Sequence, residues 1–273
     1  MTEEHVGLWT QLNLDQQASL AEWVTDCVIG LHVKPNDIAI DVGANYGAHT
    51  QTMLDNVGQN GMVLALEPNP DIASQLAKWP AAGRNLQVFA CAAGSANGRG
   101  LLHVTANPGY SSLSAEAVGD HRQSLDRIVE VEIRTLDSLI PELCLKEVQF
   151  VKIDVEGWEI EVLRGAVSLI REFRPLIVLE MSLHKVGAQH ENKAFLLCLL
   201  QDLNYRLVAA DGREVTSFSE GCWQLIACPV DAESHGLSAV RRTIESACES
   251  YVAHGFPVWT PYDKFASSRD EKP

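Results

Sequence analysis

Two short stretches of the chain place acids and glycines where chemistry on a nucleoside could be supported. The first is Asp41-Val-Gly-Ala-Asn-Tyr-Gly47, and the second is Leu66-Glu-Pro68. Gly43 allows a sharp turn after a strand, and Gly47 lets the backbone approach a ligand at the start of a helix. An acid at the end of the following strand, Glu67, can accept both hydroxyls of a ribose. Together these residues predict a site for a nucleoside-bearing cofactor.

The same stretches distinguish between two classes of cofactor. A dinucleotide fingerprint has the form Gly-x-Gly-x-x-Gly, whereas Asn45 stands here in place of the second glycine. The carboxylate of Asp41 is unfavourable for a pyrophosphate but suits a cation. S-adenosylmethionine carries an ammonium and a sulfonium and no phosphate, so the residues favour this cofactor. A nucleotide-dependent oxidoreductase stays as the alternative.

Apolar strands that alternate with helices are expected to hold these residues in place. Uninterrupted apolar strands are typical of a sheet that is covered on both faces, and strand–helix alternation predicts a mostly parallel, doubly wound sheet. A loop with Asp211-Gly212 joins the last two strands, which predicts that they run antiparallel. The predicted sheet strands are 38–42, 62–66, 86–90, 148–153, 175–181, 205–210 and 222–228. The predicted helices between them are 47–57, 70–79, 158–172 and 188–203, with an inserted strand pair at 100–105 and 129–135.

The ends of the chain differ from this alternating part. Leu20, Val24, Cys27, Val28 and Leu31 recur at helical spacing and predict an amphipathic N-terminal helix. We therefore expect an N-terminal helical extension over 1–34, a cofactor-binding domain over 35–229, and a C-terminal helix with an aromatic tail over 230–273. The tail aromatics are interpreted as the lining of an acceptor pocket, as a dimer contact or as core packing, and they are Phe256, Trp259, Tyr262 and Phe265.

The composition is that of a globular protein with an acidic surface. Among 273 residues, 21 Lys and Arg against 36 Asp and Glu give a formal net charge of −15. This charge repels phosphate backbones and anionic lipids, so we expect no nucleic-acid or membrane partner. The longest apolar run, 194–200, is too short to span a bilayer. The seven cysteines include no Cys-x-x-Cys pair, which predicts reduced thiols and a cytoplasmic location.

Taken in order along the chain, the motifs resemble those of the FkbM family of S-adenosylmethionine-dependent methyltransferases. The resemblance covers about residues 33–183. It implies an α/β fold of the class I methyltransferase (Rossmann-like) type, with a seven-stranded, mostly parallel sheet, helices on both faces and the last strand antiparallel. The segments that carry it are 33–47, 66–70, 90–94, 111–113, 134–139, 152–159, 161–166 and 179–181, of which Lys152-Ile-Asp-Val-Glu-Gly157 is the most distinctive.

The resemblance also implies roles for single residues. It implies that the loop after the first strand binds the cofactor and that the acid after the second strand binds the ribose. The residues beside that acid, together with the residue after the third strand, would lie near the adenine. Asp154 then faces the methionine part of the cofactor and the reacting methyl group. The implied cofactor-binding residues are Asp41, Gly43, Asn45, Gly47, Glu67, Pro68, Asn69, Ala92 and Asp154.

Methyl transfer to a hydroxyl benefits from a general base at the carboxyl ends of the central strands. Asp154, Glu180 and His184 qualify by position and are the candidate catalytic residues. Glu156 and Glu159 are explained as well by the dipole of the helix that they begin. Asp154 and Glu180 could share Mg²⁺, but two ligands alone do not make a convincing site, so we expect no metal.

The acceptor itself is predicted only by class. We expect a hydroxyl on a small molecule, a natural product or a glycan, and the choice of oxygen rests on the resemblance. The segment 107–113 is interpreted either as a lid near the acceptor, with Tyr110, Ser111 and Ser112, or as a surface loop. His49 is interpreted as a helix-face residue. A catalytically degenerate binding protein and a homo-oligomer both stay compatible with the sequence.

Overall fold

The computed structural model describes residues 9, 11–118, 124–181, 189–217, 224–231 and 236–255. The chain begins with a long helix and then alternates strands and helices. The elements of the first part are α1 Leu14–His32, β1 Ile38–Val42, α2 Ala48–Val57, β2 Met62–Leu66, α3 Pro70–Leu76 and β3 Leu86–Phe89. The inserted part holds β4 Cys91–Ala93, β5 Gly98–Thr105, a 3₁₀ turn at Pro108–Tyr110, α4 Ala115–Val118, β6 Leu125–Arg134 and α5 Leu136–Glu142. The remaining elements are β7 Phe150–Ile153, α6 Glu159–Arg164, α7 Val167–Phe173, β8 Leu176–Glu180, α8 Gln189–Asp202, β9 Tyr205–Ala209, β10 Gln224–Pro229 and α9 Leu237–Ala253.

The main sheet has seven strands in the order β3-β2-β1-β7-β8-β10-β9. In this order the first five strands, β3, β2, β1, β7 and β8, are parallel to one another. Strand β10 runs antiparallel to its two neighbours, β8 and β9. This confirms the predicted α/β fold. The chain proceeds outward from β1 to β3 and then resumes on the other side of β1 with β7. In open sheets of this kind the crevice at such a reversal, at the carboxyl ends of the strands, is where ligands bind.

Two hydrophobic clusters cover the two faces of this sheet. In β8, Leu176 and Val178 belong to one cluster, and Ile177 and Leu179 belong to the other. This alternation follows from the period of two along a strand, and it explains why the strands read as uninterrupted apolar runs. Helices α1, α2 and α9 pack on one face, and α5 to α8 pack on the other.

Helix α1 is held at its start and along its length. The side chain of Asn13 accepts a hydrogen bond from the backbone of Gln16 at 2.9 Å, and the side chain of Gln16 accepts one from the backbone of Asn13 at 3.1 Å. Such a reciprocal pair satisfies N–H groups that a helix leaves open at its start. Leu20 and Val28 of the predicted apolar stripe are fully buried. Leu31, in the last turn, is 53% exposed, so that part of the stripe was predicted wrongly.

The predicted helix 158–172 is divided into α6 and α7. A Cβ added at Gly165 would lie 2.0 Å from the carbonyl oxygen of Gly94, so the chain passes close to a neighbouring segment at this point. The carboxylate of Asp137 accepts the backbone N–H groups of Ser168 and Leu169 at 3.0 and 2.8 Å. An acid from a distant part of the chain thus caps α7. A helix break of this origin has no signature in the local periodicity.

The inserted strands form a separate three-stranded sheet in the order β4-β6-β5. The predicted pair corresponds to β5 and β6, which are antiparallel, whereas β4 was not predicted. Within the described residues, no helix is long and apolar enough to cross a membrane. His184 and the tail aromatics from Phe256 onward lie outside the described residues. The domain boundaries at 34 and 229 stay a prediction.

Candidate active site

The loop after β1 lies across the end of β2 and meets the segment that follows β7. The backbone N–H groups of Gly43 and Ala44 both donate to the carbonyl of Leu66, at 2.9 and 3.1 Å. Gly43 has a φ of +80°, and a Cβ added there would lie 1.8 Å from the carbonyl oxygen of Asp154. Only glycine combines this backbone conformation with so close an approach. The approach brings the loop, the end of β2 and Asp154 together at one edge of the sheet.

Glu67 is buried directly after β2. The backbone N–H of Asn45 donates to one carboxyl oxygen at 2.8 Å, and that of Asn69 donates to the other at 2.7 Å. Burial raises the pKa of Glu67 to about 7, and the carboxylates of Asp41 and Asp154 add to this rise while the two backbone hydrogen bonds oppose it. Each carboxyl oxygen can accept a second hydrogen bond. Glu67 is therefore oriented by the loop and still able to accept two ligand hydroxyls.

A cavity of about 610 Å³ opens beside Glu67. Its described lining contains three carboxyl groups, from Glu67, Asp154 and Glu156, and no Lys, Arg or His. A cavity with this charge favours a cationic ligand and disfavours a pyrophosphate. The predicted cofactor residues that line it are Gly43, Asn45, Glu67, Pro68, Ala92 and Asp154.

Three predicted cofactor residues lie behind this cavity and do not line it. Asp41 is 1% exposed and accepts a hydrogen bond from the hydroxyl of Thr50 in α2 at 2.6 Å. Gly47 has a φ of +83°, and a Cβ added there would lie 2.5 Å from the side chain of Trp79. Asn69 is the N-cap of α3. In the structure these residues shape the loop and the helices around the cavity, and their contact with a ligand stays a prediction.

The match with known proteins agrees with this geometry. A family model described as the methyltransferase FkbM domain matches residues 41–207, which is more than half of the chain. The chain belongs to the FkbM methyltransferase family. The matched region begins within β1 and ends in β9, so it leaves α1 and α9 outside.

Curated relatives of this member of the FkbM family are distant. The hexuronic acid methyltransferase AglP of Haloferax volcanii is 27% identical over 145 residues, covering 52% of this chain and 55% of AglP. The 2-O-methyltransferase NoeI of Sinorhizobium fredii is 23% identical over 158 residues, covering 54% of this chain and 64% of NoeI. The chain thus spans less than two thirds of either relative. A solved FkbM methyltransferase from Methylobacillus flagellatus has a TM-score of 0.42 at 18% identity, covering 70% of this chain and 43% of that one.

A second cavity, of about 970 Å³, adjoins the first, and Gly43, Asn45 and Asp154 line both. The second cavity is much richer in ionisable groups, which come from α1, α2, β7, the segment after β7, and the end of β8. These groups are Glu22, His49, Lys152, Asp154, Glu156 and Glu180. The two predicted catalytic residues that fall within the described part of the chain, Asp154 and Glu180, are thus brought together.

Lys152 is the buried cation of this cluster. It is 2% exposed, and its Nζ donates to the carboxylate of Asp154 at 2.9 Å. Burial lowers the pKa of Lys152, but the carboxylates of Asp154, Asp41, Glu22 and Glu180 outweigh this effect and raise it above its usual range. Lys152 therefore stays charged and is paired with Asp154.

Glu180 has a different environment, although it shares the cavity with Asp154. Burial and the carboxylates of Asp154 and Glu22 raise the pKa of Glu180 well above its ordinary value, while Lys152 opposes the rise. The sequence predicted a site role for Glu180 because an isolated acid ends an apolar strand. The structure places it on the cavity wall.

Two residues of the second cavity were missed as site residues in the sequence. The carboxylate of Glu22 lies 3.2 Å from Nε2 of His49, and both residues line the cavity. His49 was interpreted as a helix-face residue, but it is only 6% exposed. The available signal was the pair Glu22 and Asp26, two acids one turn apart on the same face of the N-terminal amphipathic helix.

The segment 107–113 borders both cavities. Ser111 and Ser112 line the first cavity, and Tyr110 lines the second. The hydroxyl of Ser112 donates to the backbone carbonyl of Glu156 at 2.8 Å, which ties the segment to the loop after β7. The serines and the tyrosine that the sequence singled out thus lie beside the candidate site.

The cavities contain buried polar atoms that fit a positively charged ligand. Within the described part of the chain, Oδ1 of Asn45 is buried and has no hydrogen-bond partner, and Asn45 lines both cavities. A buried acceptor of this kind is unfavourable unless a donor satisfies it, and an ammonium is such a donor. The described residues include no cluster of three or more His, Cys, Asp or Glu arranged to hold a metal ion.

Proposed function

We propose that this chain transfers a methyl group from S-adenosylmethionine to a hydroxyl of a small-molecule, natural-product or glycan acceptor. The observation that carries the proposal is the buried Glu67, oriented by two backbone N–H groups beside a cavity with acidic and no basic lining residues among those described. Membership of the FkbM family supports the reaction. The name of one relative, a 2-O-methyltransferase, supports oxygen as the acceptor atom.

The residues of the first cavity fit the cofactor by their chemistry. Glu67 would accept the ribose hydroxyls, Oδ1 of Asn45 would accept an ammonium, and Pro68 and Ala92 would flank the base. When bound, S-adenosylmethionine supplies a methyl group on a positively charged sulfur. Asp154 lies on the wall between the cavities, where its charge would favour that cation. The second cavity would hold the acceptor.

The proton of the acceptor hydroxyl needs a destination on the protein. Asp154 already accepts a hydrogen bond from the buried Nζ of Lys152 at 2.9 Å, which occupies one of its carboxyl oxygens. Glu180 lines the same cavity and retains protons more readily because it is buried among other carboxylates. We therefore assign proton transfer to Glu180 in preference to Asp154. General base catalysis of this kind contributes about 10²–10⁴-fold to a rate.

Calorimetric titration with S-adenosylhomocysteine tests the cofactor assignment. Glu67→Gln keeps the size of the side chain but replaces one carboxyl oxygen by a donor, so binding is expected to weaken at least about tenfold, as for the loss of one hydrogen bond to a charged group. Glu147→Gln, at an exposed position, is the matched control and should bind normally. Enhanced NADH fluorescence without S-adenosylhomocysteine binding would overturn the proposal in favour of an oxidoreductase.

Methyl transfer itself is measured with S-adenosylmethionine labelled in the methyl group. A matched acceptor series consists of methyl glucoside, its 2-amino analogue and methyl glucuronide, which share hydroxyls but differ in charge. The acidic second cavity favours the neutral and the amine-bearing acceptors over the uronate. Binding of S-adenosylhomocysteine with no labelled product from any acceptor class would instead favour a catalytically degenerate binding protein.

A further inference from the structure

One residue in the wall of the first cavity carries a buried hydrogen-bond donor that the protein leaves unsatisfied. Trp158 lines this cavity, and its Nε1 is buried with no hydrogen-bond partner among the described residues. An indole nitrogen can only donate. A buried donor in this state is unfavourable until an acceptor reaches it. Because the donor belongs to a residue of the cavity wall, it points to a ligand that presents an acceptor atom there.

The backbone that carries this indole is held on both sides. The carbonyl of Trp158 accepts the N–H groups of Glu161 and Val162, at 3.1 and 3.2 Å, in the first turn of α6. Gly157, which precedes Trp158, has a φ of +94°, and a Cβ added there would lie 2.7 Å from the Cβ of Ala117. The position of the indole is therefore set by the fold before any ligand binds.

The indole nitrogen lies close to strand β4. A Cβ added at Gly94, the residue after β4, would lie 3.4 Å from Nε1 of Trp158. The three residues of β4 all line the cavity with small, almost fully buried side chains, and they are Cys91, Ala92 and Ala93. A wall of small side chains beside a single N–H donor suits a flat heterocycle that presents a ring nitrogen.

The donor distinguishes between the parts of the proposed cofactor. An N–H group cannot bind the ammonium or the sulfonium, because it needs an acceptor. The ribose hydroxyls are assigned to Glu67, and the methionine part with its carboxylate is assigned to the wall at Asp154, after β7. The base is assigned to the side of Ala92, in β4 next to Gly94. Adenine presents three ring nitrogens that accept hydrogen bonds.

We propose that Nε1 of Trp158 donates a hydrogen bond to a ring nitrogen of the adenine and is thereby a specificity-determining residue for the cofactor. The proposal rests on the proposed function, since it concerns the same cofactor. It adds a side-chain contact to the base, whereas Pro68 and Ala92 contribute only flanking surfaces. The satisfied donor would then stabilise the bound state relative to the free protein.

Trp23 shows why an unsatisfied indole is informative only beside a cavity, and it supplies the matched control. Its Nε1 is also buried without a partner in the part of the chain that the structure describes. Trp23 lines neither of the two cavities, and its ring packs 6.1 Å from that of Tyr251, between α1 and α9. Trp23→Phe thus removes the same group at a distance from the proposed cofactor.

Calorimetric titration with S-adenosylhomocysteine and its 1-deaza, 3-deaza and 7-deaza analogues tests the hydrogen bond. In each analogue one ring nitrogen of the adenine is replaced by C–H. Trp158→Phe is expected to bind S-adenosylhomocysteine about tenfold more weakly than the unmodified protein does. One analogue should bind the unmodified protein about tenfold more weakly, and Trp158→Phe should weaken that analogue by less than about twofold, because the bond is already lost. Trp23→Phe should bind all four ligands as the unmodified protein does.

The outcomes separate this proposal from the proposed function. If Trp158→Phe weakened all four ligands equally, or left the affinity for S-adenosylhomocysteine unchanged, the hydrogen bond to the base would be overturned while the cofactor assignment stood. If the unmodified protein bound no S-adenosylhomocysteine, both would be overturned.

Spectra of the unmodified protein labelled with ¹⁵N in the indole rings give a result that does not depend on the folding of any variant. One of the six tryptophan N–H signals should move downfield with S-adenosylhomocysteine and not with the weakened analogue. The same signal shift with all four ligands, or no shift with any of them, would overturn the proposal.

Discussion

Replacement of Gly43 by alanine should damage the fold and the site together. The residue has a φ of +80°, and the added methyl group would lie 1.8 Å from the carbonyl oxygen of Asp154. Side-chain Cβ atoms do not approach other atoms within 3.0 Å, so these two segments must separate by more than about 1 Å. The clash is with the backbone of Asp154, which cannot rotate away as the end of a long side chain can. Asp154, which lines both cavities, is expected to move.

The loss of stability expected for Gly43→Ala has two parts. A left-handed conformation costs an alanine about 1–2 kcal/mol, and overpacking of a closely packed contact costs about 1–3 kcal/mol. The expected loss in the free energy of unfolding is therefore about 2–5 kcal/mol. A shift of about 1 Å in a group that positions the reacting atoms lowers a rate by roughly 10²-fold. Methyl transfer should thus fall further than the population of folded protein does.

A second glycine separates the two parts of this cost. Gly83 has a φ of +76°, but a Cβ added there meets nothing within 4 Å. Gly83→Ala should therefore lose only the conformational part, about 1–2 kcal/mol, with normal affinity for S-adenosylhomocysteine. Urea unfolding and calorimetry of both variants measure the difference. If Gly43→Ala and Gly83→Ala lost equal stability, and Gly43→Ala kept its affinity for S-adenosylhomocysteine, the reasoning would be refuted. The close approach of Gly43 to Asp154 would then not be the reason for a glycine at this position.

Two further predictions concern buried charges. Lys152→Met leaves Asp154 and its neighbouring carboxylates without their cation, and breaking a buried ion pair from one side should cost about 3–5 kcal/mol in urea unfolding at pH 7; unchanged stability would contradict the charge balance of the cluster. Burial raises the pKa of Glu159 to about 8. Since the folded state then holds a proton that the unfolded state releases near pH 4, this group favours folding at low pH and loses that contribution as the pH rises through 8. Glu159→Gln should be relatively more stable at pH 8 than at pH 5 by about 3–5 kcal/mol, and parallel unfolding curves at the two pH values would contradict this.

Much of the sheet was predictable because each central strand is buried on both faces. The predicted bounds of β1 and β2 agree with the structure, and the order of motifs along the chain led to the correct family. In these segments, the local pattern and the tertiary environment demand the same residues. The antiparallel pairing of β10 with β9 was predicted from the turn residues Asp211-Gly212 in the loop that joins these strands.

The residues that line the first cavity were harder to separate from those that support it. Asp41, Gly43, Gly47 and Glu67 all appear in the same motifs, yet only Gly43 and Glu67 line the first cavity. A motif includes every residue that the loop needs. Some of these residues face the cavity, and others pack against neighbouring side chains. At Gly47 the side chain of Trp79 occupies the space where a Cβ would lie. A contact between residues so far apart in the chain cannot be predicted from the local spacing of residues in the motif.

The second cavity is lined by residues far apart in the chain, which explains why only part of its lining was predicted from the sequence. Glu180 is visible as an acid at the end of an apolar strand, but Glu22 precedes it by more than a hundred residues and lies in an amphipathic helix where acids are common. Burial changes the ionisation behaviour of both carboxyl groups, Glu22 and Glu180. On a solvated helix face Glu22 would be an ordinary surface charge, whereas in a cavity that it shares with Glu180 and Lys152 its ionisation depends on theirs.

The arrangement also divides the site between two parts of the chain. The residues of the first cavity belong to the family-matched region, while the second cavity is completed by α1, which lies before that region. In the proposed function the second cavity holds the acceptor, so the side of α1 that faces this cavity would form part of the acceptor wall. If α1 carries that wall, substitutions on its cavity-facing side should alter the choice among glucoside, amino sugar and uronate without altering affinity for S-adenosylhomocysteine. A change in both would show that the two cavities do not act separately.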